Sequence, residues 1–199
     1  MHLTVTVKWN FEVGLGLEDF ALGYTFPMQI TLRKATPADA AGIARVRIDT
    51  WRDTYRGIVP DETLARMDYG TDAVRFQGYI ADERTFFYIA LNEAEEVIGF
   101  AGGGAERDGL PGYPGEVYAI YILPTFQKAG IGRGLIRTAF EDLMARGLFP
   151  AVIWALEENP ACAFYRRIGG VEVGRKTTEI GGRVLVELGF GYSDPDIWL

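Results

Sequence analysis

Apolar letters alternate with polar ones at the very start of the chain. Leu3, Val5, Val7 and Trp9 are interleaved with Thr4, Thr6 and Lys8, the period-two spacing of a strand with one buried face. After a stretch interrupted by Glu12, Glu18 and Asp19, the run from Met28 to Arg33 repeats a strand pattern. Thr36-Pro37-Ala38-Asp39 follows, a capping Thr ahead of a Pro that fits a first helical turn. Ile43, Val46, Ile48 and Trp51 then predict one helix, Pro60-Asp61-Glu62 opens a second that reaches about Met67, and residues 71–81 form a third.

The period changes again at Thr85. Residues 86–91 and 97–101 read as two strands around an Asn92-Glu93 turn, followed by a Gly/Pro-rich loop and a strand over 116–122 that Pro124 stops. Ile131, Leu135, Ala139, Leu143 and Met144 recur at helical spacing. An apolar strand at 151–156, a short helix from Pro160 and two strands near 171–179 and 183–190, joined by Gly181-Gly182, complete the order. The succession predicts one α/β domain around a mixed sheet, beginning at Met28 and running to residue 199, with residues 1–27 as an N-terminal strand or hairpin arm.

Composition narrows the partners. Twenty Lys and Arg against 27 Asp and Glu leave a net charge of −7. That balance argues against nucleic acid, whose nonspecific binding depends on cations that neutralise phosphates, and favours cationic or amine-bearing partners. The single Cys162 and single His2 cannot assemble a Cys/His zinc site, and a Ser-His-Asp triad would have to recruit a histidine at the chain end. No metal is expected. The chain shows neither a basic start with an apolar block nor the roughly 18 consecutive apolar residues of a membrane span, so a cytoplasmic protein without membrane contact is expected.

The chemistry concentrates in Gln127-Lys128-Ala129-Gly130-Ile131-Gly132-Arg133-Gly134, between a strand and an amphipathic helix. Glycines there let a ligand approach the backbone, and the free amides of a helix start offer donors together with the positive end of the helix dipole. This is a pyrophosphate cradle. The alternative is a flexible turn with an accidental glycine pattern. The spacing is not the Gly-x-Gly-x-x-Gly of a Rossmann unit, and the Gly-Lys-Ser/Thr end of a Walker loop is missing.

This segment resembles the acetyl-coenzyme A loop of the GNAT N-acetyltransferase superfamily, Arg/Gln-x-x-Gly-x-Gly/Ala, with Gln127, Gly130 and Gly132 filling the pattern. Asn159-Pro160-Ala161-Cys162-Ala163-Phe164-Tyr165, followed by Gly169, is similar to a second element of that family, although Gly170 stands where the family often has an aromatic residue. The likeness spans about residues 28–192. It implies a central mixed, mostly antiparallel sheet flanked by helices and splayed between two central strands. The pantetheine arm of acetyl-CoA would lie in that split, pairing with the backbone of Ile120 and Ile122. Gln127, Lys128, Ala129, Gly130, Ile131, Gly132 and Arg133 would hold the pyrophosphate.

Acetyl transfer from a thioester to an amine needs a neutral amine, a stabilised oxyanion and a proton for the departing thiolate. The resemblance makes Tyr165 the proton donor; the competing role is packing of its short helix. Glu116 stands where several family members carry a general base, the competing reading being an exposed acid beside a turn, with Tyr118 as another group able to orient water. Asn159 would bond pantetheine, cap the helix after Pro160, or do both. Cys162, without a histidine partner, reads as a packed side chain. Trp51, Tyr55 and Arg56 fall where the family borders its acceptor.

These expectations describe an acetyl-CoA-dependent N-acetyltransferase acting directly on a primary amine of a small molecule or peptide. The alternative is a noncatalytic acyl-CoA-binding or sensing module. The apolar face of the arm needs a cover, either this chain's own sheet edge or that of a second copy in a homodimer, and the dimer is slightly preferred.

Overall fold

The computed structural model describes Trp9–Phe11 and residues 28–194. Thirteen elements follow one another: β1 (Trp9–Phe11), β2 (Met28–Lys34), α1 (Ala40–Thr54), α2 (Asp61–Ala65), α3 (Tyr69–Ala81), β3 (Thr85–Leu91), β4 (Val97–Ala105), β5 (Gly115–Ile122), α4 (Ile131–Ala145), β6 (Ala151–Leu156), α5 (Ala161–Arg167), β7 (Val171–Ile180) and β8 (Arg183–Tyr192). They build one sheet in the order β1-β2-β3-β4-β5-β6-β8-β7. Every pair is antiparallel except β5 with β6.

Two of the boundaries that differ from the sequence expectation have a local reason. α3 starts at Tyr69 rather than Thr71 because the Asp68 carboxylate accepts the Thr71 backbone N–H at 2.8 Å and caps the helix two residues early. β4 runs past Ala101 through three glycines to Ala105. The space their missing side chains leave is filled by aromatic rings: a Cβ on Gly102 would come within 2.3 Å of the Phe87 ring. Glycine is a weak strand former by itself, and here cross-strand rings hold it in the ladder.

The sheet is covered on both faces. On one, α4 and α5 bury Leu135, Ile136, Phe140, Ile153 and Phe190 together. On the other, α1 and α3 pack Ile43, Val46 and Phe76 against Phe87 and Phe100, and a smaller cluster under α2 joins Tyr55, Val59, Leu64, Leu156 and Leu185. Of the expected arm, Trp9, Asn10 and Phe11 pair with Ile30, Gln29 and Met28. This part of the arm is therefore an edge strand of its own chain's sheet. Leu3, Val5 and Val7 lie outside the described residues.

Two irregularities in the middle of the sheet shape everything that follows. β5 and β6 pair only at Gly115, Glu116 and Val117, opposite Ala151, Val152 and Ile153. Beyond that point β5 stays with β4, β6 stays with β8, and the two strands part. The second irregularity is a bulge. Gly102 faces Ala119 and Gly103 faces Val117, so Tyr118 is the extra residue on β5. The bulge puts Val117, Ile120 and Ile122 with the α4 cluster, while Ala119 and Tyr121 pack on the α1 side.

Candidate active site

The split between β5 and β6 opens toward the start of α4. Gly130 caps that helix with φ +77°, in the left-handed region that favours glycine. Its identity is thus required by the turn itself as well as by any close approach of a ligand. Gly134 N–H returns to Gly130 O at 3.2 Å as the first helical bond, so the amides of residues 131–133 point outward at the positive end of a 15-residue helix. Lys128, itself at φ +64°, and Arg133 are exposed beside them, and neither makes an ion pair among the described residues. Free amides, a helix dipole and two unspent cations form a site suited to an anion. Gly132 lines the same opening: a Cβ there would lie 3.2 Å from the Phe164 ring and 3.3 Å from Ile122.

Ala129 and Ile131 are held by the α4 cluster, as are Ile120 and Ile122. The Ile122 carbonyl already accepts the Gln127 side-chain amide at 3.0 Å. Gln127 thus ties the loop back to the strand end, a use that its place in the motif does not reveal.

Tyr165 projects from α5 into the α4 cluster, stacked at 5.4 Å between ring centroids on Phe190. Burial, helped by the neighbouring Tyr121 and Tyr192 phenols, pushes its pKa well up, so the hydroxyl keeps its proton. Asn159 does two things at once. Its Oδ1 accepts the Ala161 N–H at 2.8 Å at the start of α5, and its Nδ2 donates to the Tyr55 hydroxyl at 2.9 Å. Its side chain thus ties the residue before the Pro160 cap to the first turn of α5, and its NH2 is spent on Tyr55. Cys162 donates its thiol to Leu156 O at 3.2 Å, and burial raises its pKa, as befits a packed side chain.

Glu116 is not an exposed acid. It is 1% exposed, and both carboxylate oxygens are engaged by Arg107: Nε donates to Oε2 at 3.0 Å, the backbone N–H does so at 3.3 Å, and Nη2 meets Oε1. Tyr118 joins the same group, its ring 4.2 Å beneath the Arg107 guanidinium and its hydroxyl donating to Ala105 O at 2.6 Å. Glu116 sits on the last paired rungs of β5 and β6, just before they separate.

Across the sheet from α4, the α1 side of the split carries aromatic rings. Trp51 lies against Tyr55 at 4.8 Å between centroids, both pack with Tyr121 and Leu156, and Arg47 covers the Trp51 ring at 4.7 Å. Glu187 stands opposite Leu156 on β8, 3.6 Å from Lys176 Nζ. Trp51 and Tyr55 therefore reach the split as expected, whereas Arg56 is exposed in the α1–α2 turn. Tyr121, Arg107 and Glu187 were not singled out from the sequence. Tyr121 reads there as one apolar letter in a strand, and its neighbours come from elements up to 70 residues away.

The comparisons with known proteins agree with this geometry. The profile of the Acetyltransferase (GNAT) family matches residues 47–170, which include the second half of α1, the split strands, α4 and α5. An uncharacterized N-acetyltransferase of Bacillus subtilis, YuaI, is 34% identical over 165 residues, covering 83% of this chain and 94% of its own length. The aminoglycoside N(6')-acetyltransferase type 1 of Stenotrophomonas maltophilia is 29% identical over 110 residues, 53% of this chain and 62% of that protein. Among solved structures, the PaiA N-acetyltransferase of Thermoplasma acidophilum in complex with coenzyme A shares the fold. It has a TM-score of 0.63 and 19% identity, over 82% of this chain and 99% of that one. A matched family profile over more than half the chain, and an N-acetyltransferase relative along nearly its whole length, make this chain a member of the GNAT acetyltransferase family.

Proposed function

We propose that the protein transfers the acetyl group of acetyl-CoA directly to a primary amine. The observation that carries this reading is the coincidence, in one opening, of unpaired edges on β5 and β6, the amide-rich start of α4, and Tyr165 from α5. The pyrophosphate would rest on the amides of Ile131, Gly132 and Arg133, with Lys128 and Arg133 supplying charge. The pantetheine would run along Ile120 and Ile122. The amine nitrogen forms the C–N bond as the carbonyl pair moves to oxygen. When that pair returns, the C–S bond breaks with its electrons on sulfur, which takes the Tyr165 proton.

The amine must lose a proton as well. We assign it to Glu116, reached through water at the rim where the strands part, and the Arg107 pair is what has to open for it. The acceptor enters on the α1 side, past Trp51, Tyr55 and Tyr121. The aminoglycoside relative supports a small-molecule amine, and a peptide amine fits the same chemistry. Among the described residues no helix is long and apolar enough to cross a membrane, and no cluster of three His, Cys, Asp or Glu is placed to hold a metal.

Thiol release from acetyl-CoA across a panel of an aminoglycoside, a polyamine, an amino sugar and a peptide amine tests the reading. Amine-dependent release supports it. Tight acetyl-CoA binding with no release for any amine would leave the noncatalytic module instead.

A further inference from the structure

Side chains alternate along a strand, so the register of β6 and β8 fixes which residues share a face. On β6, Ala151, Ile153 and Ala155 belong to the α4 cluster, which leaves Trp154 and Leu156 on the α1 face. On β8, Leu188 and Phe190 belong to the α4 cluster as well, and Glu187 and Gly189 share the α1 face with their partners Leu156 and Trp154. Glu187 therefore stands beside Leu156, which packs with Trp51, Tyr55 and Tyr121 in the wall past which the acceptor enters.

Arg107, Arg47 and Lys176 reach this face, and each is committed to a carboxylate other than Glu187. Arg107 clasps Glu116, Arg47 meets Asp72, and Lys176 meets Asp108 while its ammonium sits 4.1 Å from the centre of the Trp154 ring. Glu187 is left with Lys176 at 3.6 Å, beyond hydrogen-bond distance, and its carboxylate accepts no hydrogen bond among the described residues. The side chain is 23% exposed. A ligand can reach it, yet it is sheltered enough for a new charge partner to count for more than on an open surface. The acceptor side of the split thus carries one unspent carboxylate beside an aromatic and aliphatic wall.

We propose that Glu187 is a specificity residue that binds a second ammonium of the acceptor while the first nitrogen, neutral, attacks the thioester. The preferred acceptors are then amines with two or more cationic nitrogens; this rests on the acetyl-transfer reading above. Glu187 does not hold the reacting nitrogen, because a carboxylate favours the protonated amine, which has no lone pair to attack with. The distant ammonium takes no part in bond making. Leu156 and the aromatic wall suit the methylenes between the two nitrogens, and Lys176 keeps Asp108 and the Trp154 ring when a ligand takes its place at Glu187. β8 lies one strand beyond β6, and the reacting carbon lies in the split on the other side of β6, so the two nitrogens stand at most about 10 Å apart, two strand spacings.

The test measures kcat/KM on the full chain at saturating acetyl-CoA for straight-chain diamines of roughly three to six methylenes, which cover that span, each against the alkylamine of the same length. In the wild-type protein the best diamine should exceed its alkylamine at least about tenfold, chiefly through KM. In Glu187→Gln that preference should fall below about threefold, with acetyl-CoA affinity changed by no more than about threefold. A wild-type protein without the preference, or a folded Glu187→Gln protein that keeps it, overturns the proposal. Should that variant not fold, Glu187→Asp decides. Its carboxylate retreats by one methylene, so the preferred diamine should lengthen by about one methylene, and an unchanged optimum overturns the assignment. Thiol release with some other amine but with no diamine overturns this inference alone, whereas no release with any amine overturns the acetyl-transfer reading and this one with it.

Discussion

Gly130 and Gly132 sit two residues apart, yet the structure gives them different tasks, and substitutions should separate these. Gly130 is needed for a backbone conformation, φ +77°. An alanine there meets the left-handed penalty of about 1–2 kcal/mol, which for a domain of this size lowers the melting temperature by roughly 2–8 °C. The outward amides of 131–133 remain, so acetyl-CoA affinity should change little in the fraction that is folded. Gly132 has ordinary helical geometry, and the cost of a side chain there is one of space. A Cβ would touch Phe164 at 3.2 Å and Ile122 at 3.3 Å, contacts that a few tenths of an ångström relieve. Removing a helical glycine gains about 0.5–1 kcal/mol, so Gly132→Ala should be neutral or slightly stabilising. Gly132→Val adds branches in the opening between Ile122 and Phe164, where the cofactor arm is expected. Its acetyl-CoA affinity should fall at least tenfold, about 1.4 kcal/mol or more, with a much smaller change in melting temperature. Thermal unfolding and titration calorimetry on the three variants provide the readout. A folded Gly132→Val protein with wild-type affinity, or a Gly130→Ala protein as stable as wild type, would refute the reasoning.

Tyr165→Phe keeps the ring stacked on Phe190 and removes only the hydroxyl. Stability and acetyl-CoA binding should survive while kcat drops roughly 10- to 1,000-fold, and full turnover would remove Tyr165 from the chemistry. Glu116→Gln should lower kcat with acetyl-CoA binding retained, because a neutral amide cannot take the amine's proton. Loss of melting temperature with unchanged kcat would leave Glu116 only its structural pair with Arg107. A chain beginning at Met28 lacks β1 and leaves β2 as an open edge. It should lose thermal stability yet keep acetyl-CoA binding and intrinsic turnover, and a folded truncation that cannot bind acetyl-CoA would place the arm in the active site.

The elements of this domain were legible because their signals are local. The short apolar runs of β3, β5 and β6 and the helical spacing of Ile131, Leu135, Ala139 and Leu143 need no tertiary information. The loop before α4 was legible as a motif, since Gly130 and Gly132 meet requirements that few other residues satisfy. What stayed hidden depends on contacts across long separations. The Asn159–Tyr55 bond links residues 104 apart, and no periodicity announces it. Glu116 reads as a surface acid until Arg107, nine residues away across a Gly/Pro-rich loop, is seen to clasp it. Tyr121 is hidden for another reason: the bulge at Tyr118 shifts the strand's alternation by one, so the faces on either side of it cannot be counted from the letters. β4 was cut short because its glycines signal a loop, whereas the Phe86 and Phe87 rings that fill their space come from the neighbouring strand.

The central claim is that acetyl-CoA lies in the split between β5 and β6 with its pyrophosphate at the start of α4. Amide hydrogen exchange, resolved residue by residue with and without acetyl-CoA, tests this most directly. Protection should rise at Ile120 and Ile122 and at the amides of Ile131, Gly132 and Arg133, while the amides of β7, far from the split, stay unchanged. Saturating acetyl-CoA that leaves residues 120–122 and 131–133 exchanging at their free rates would contradict the account.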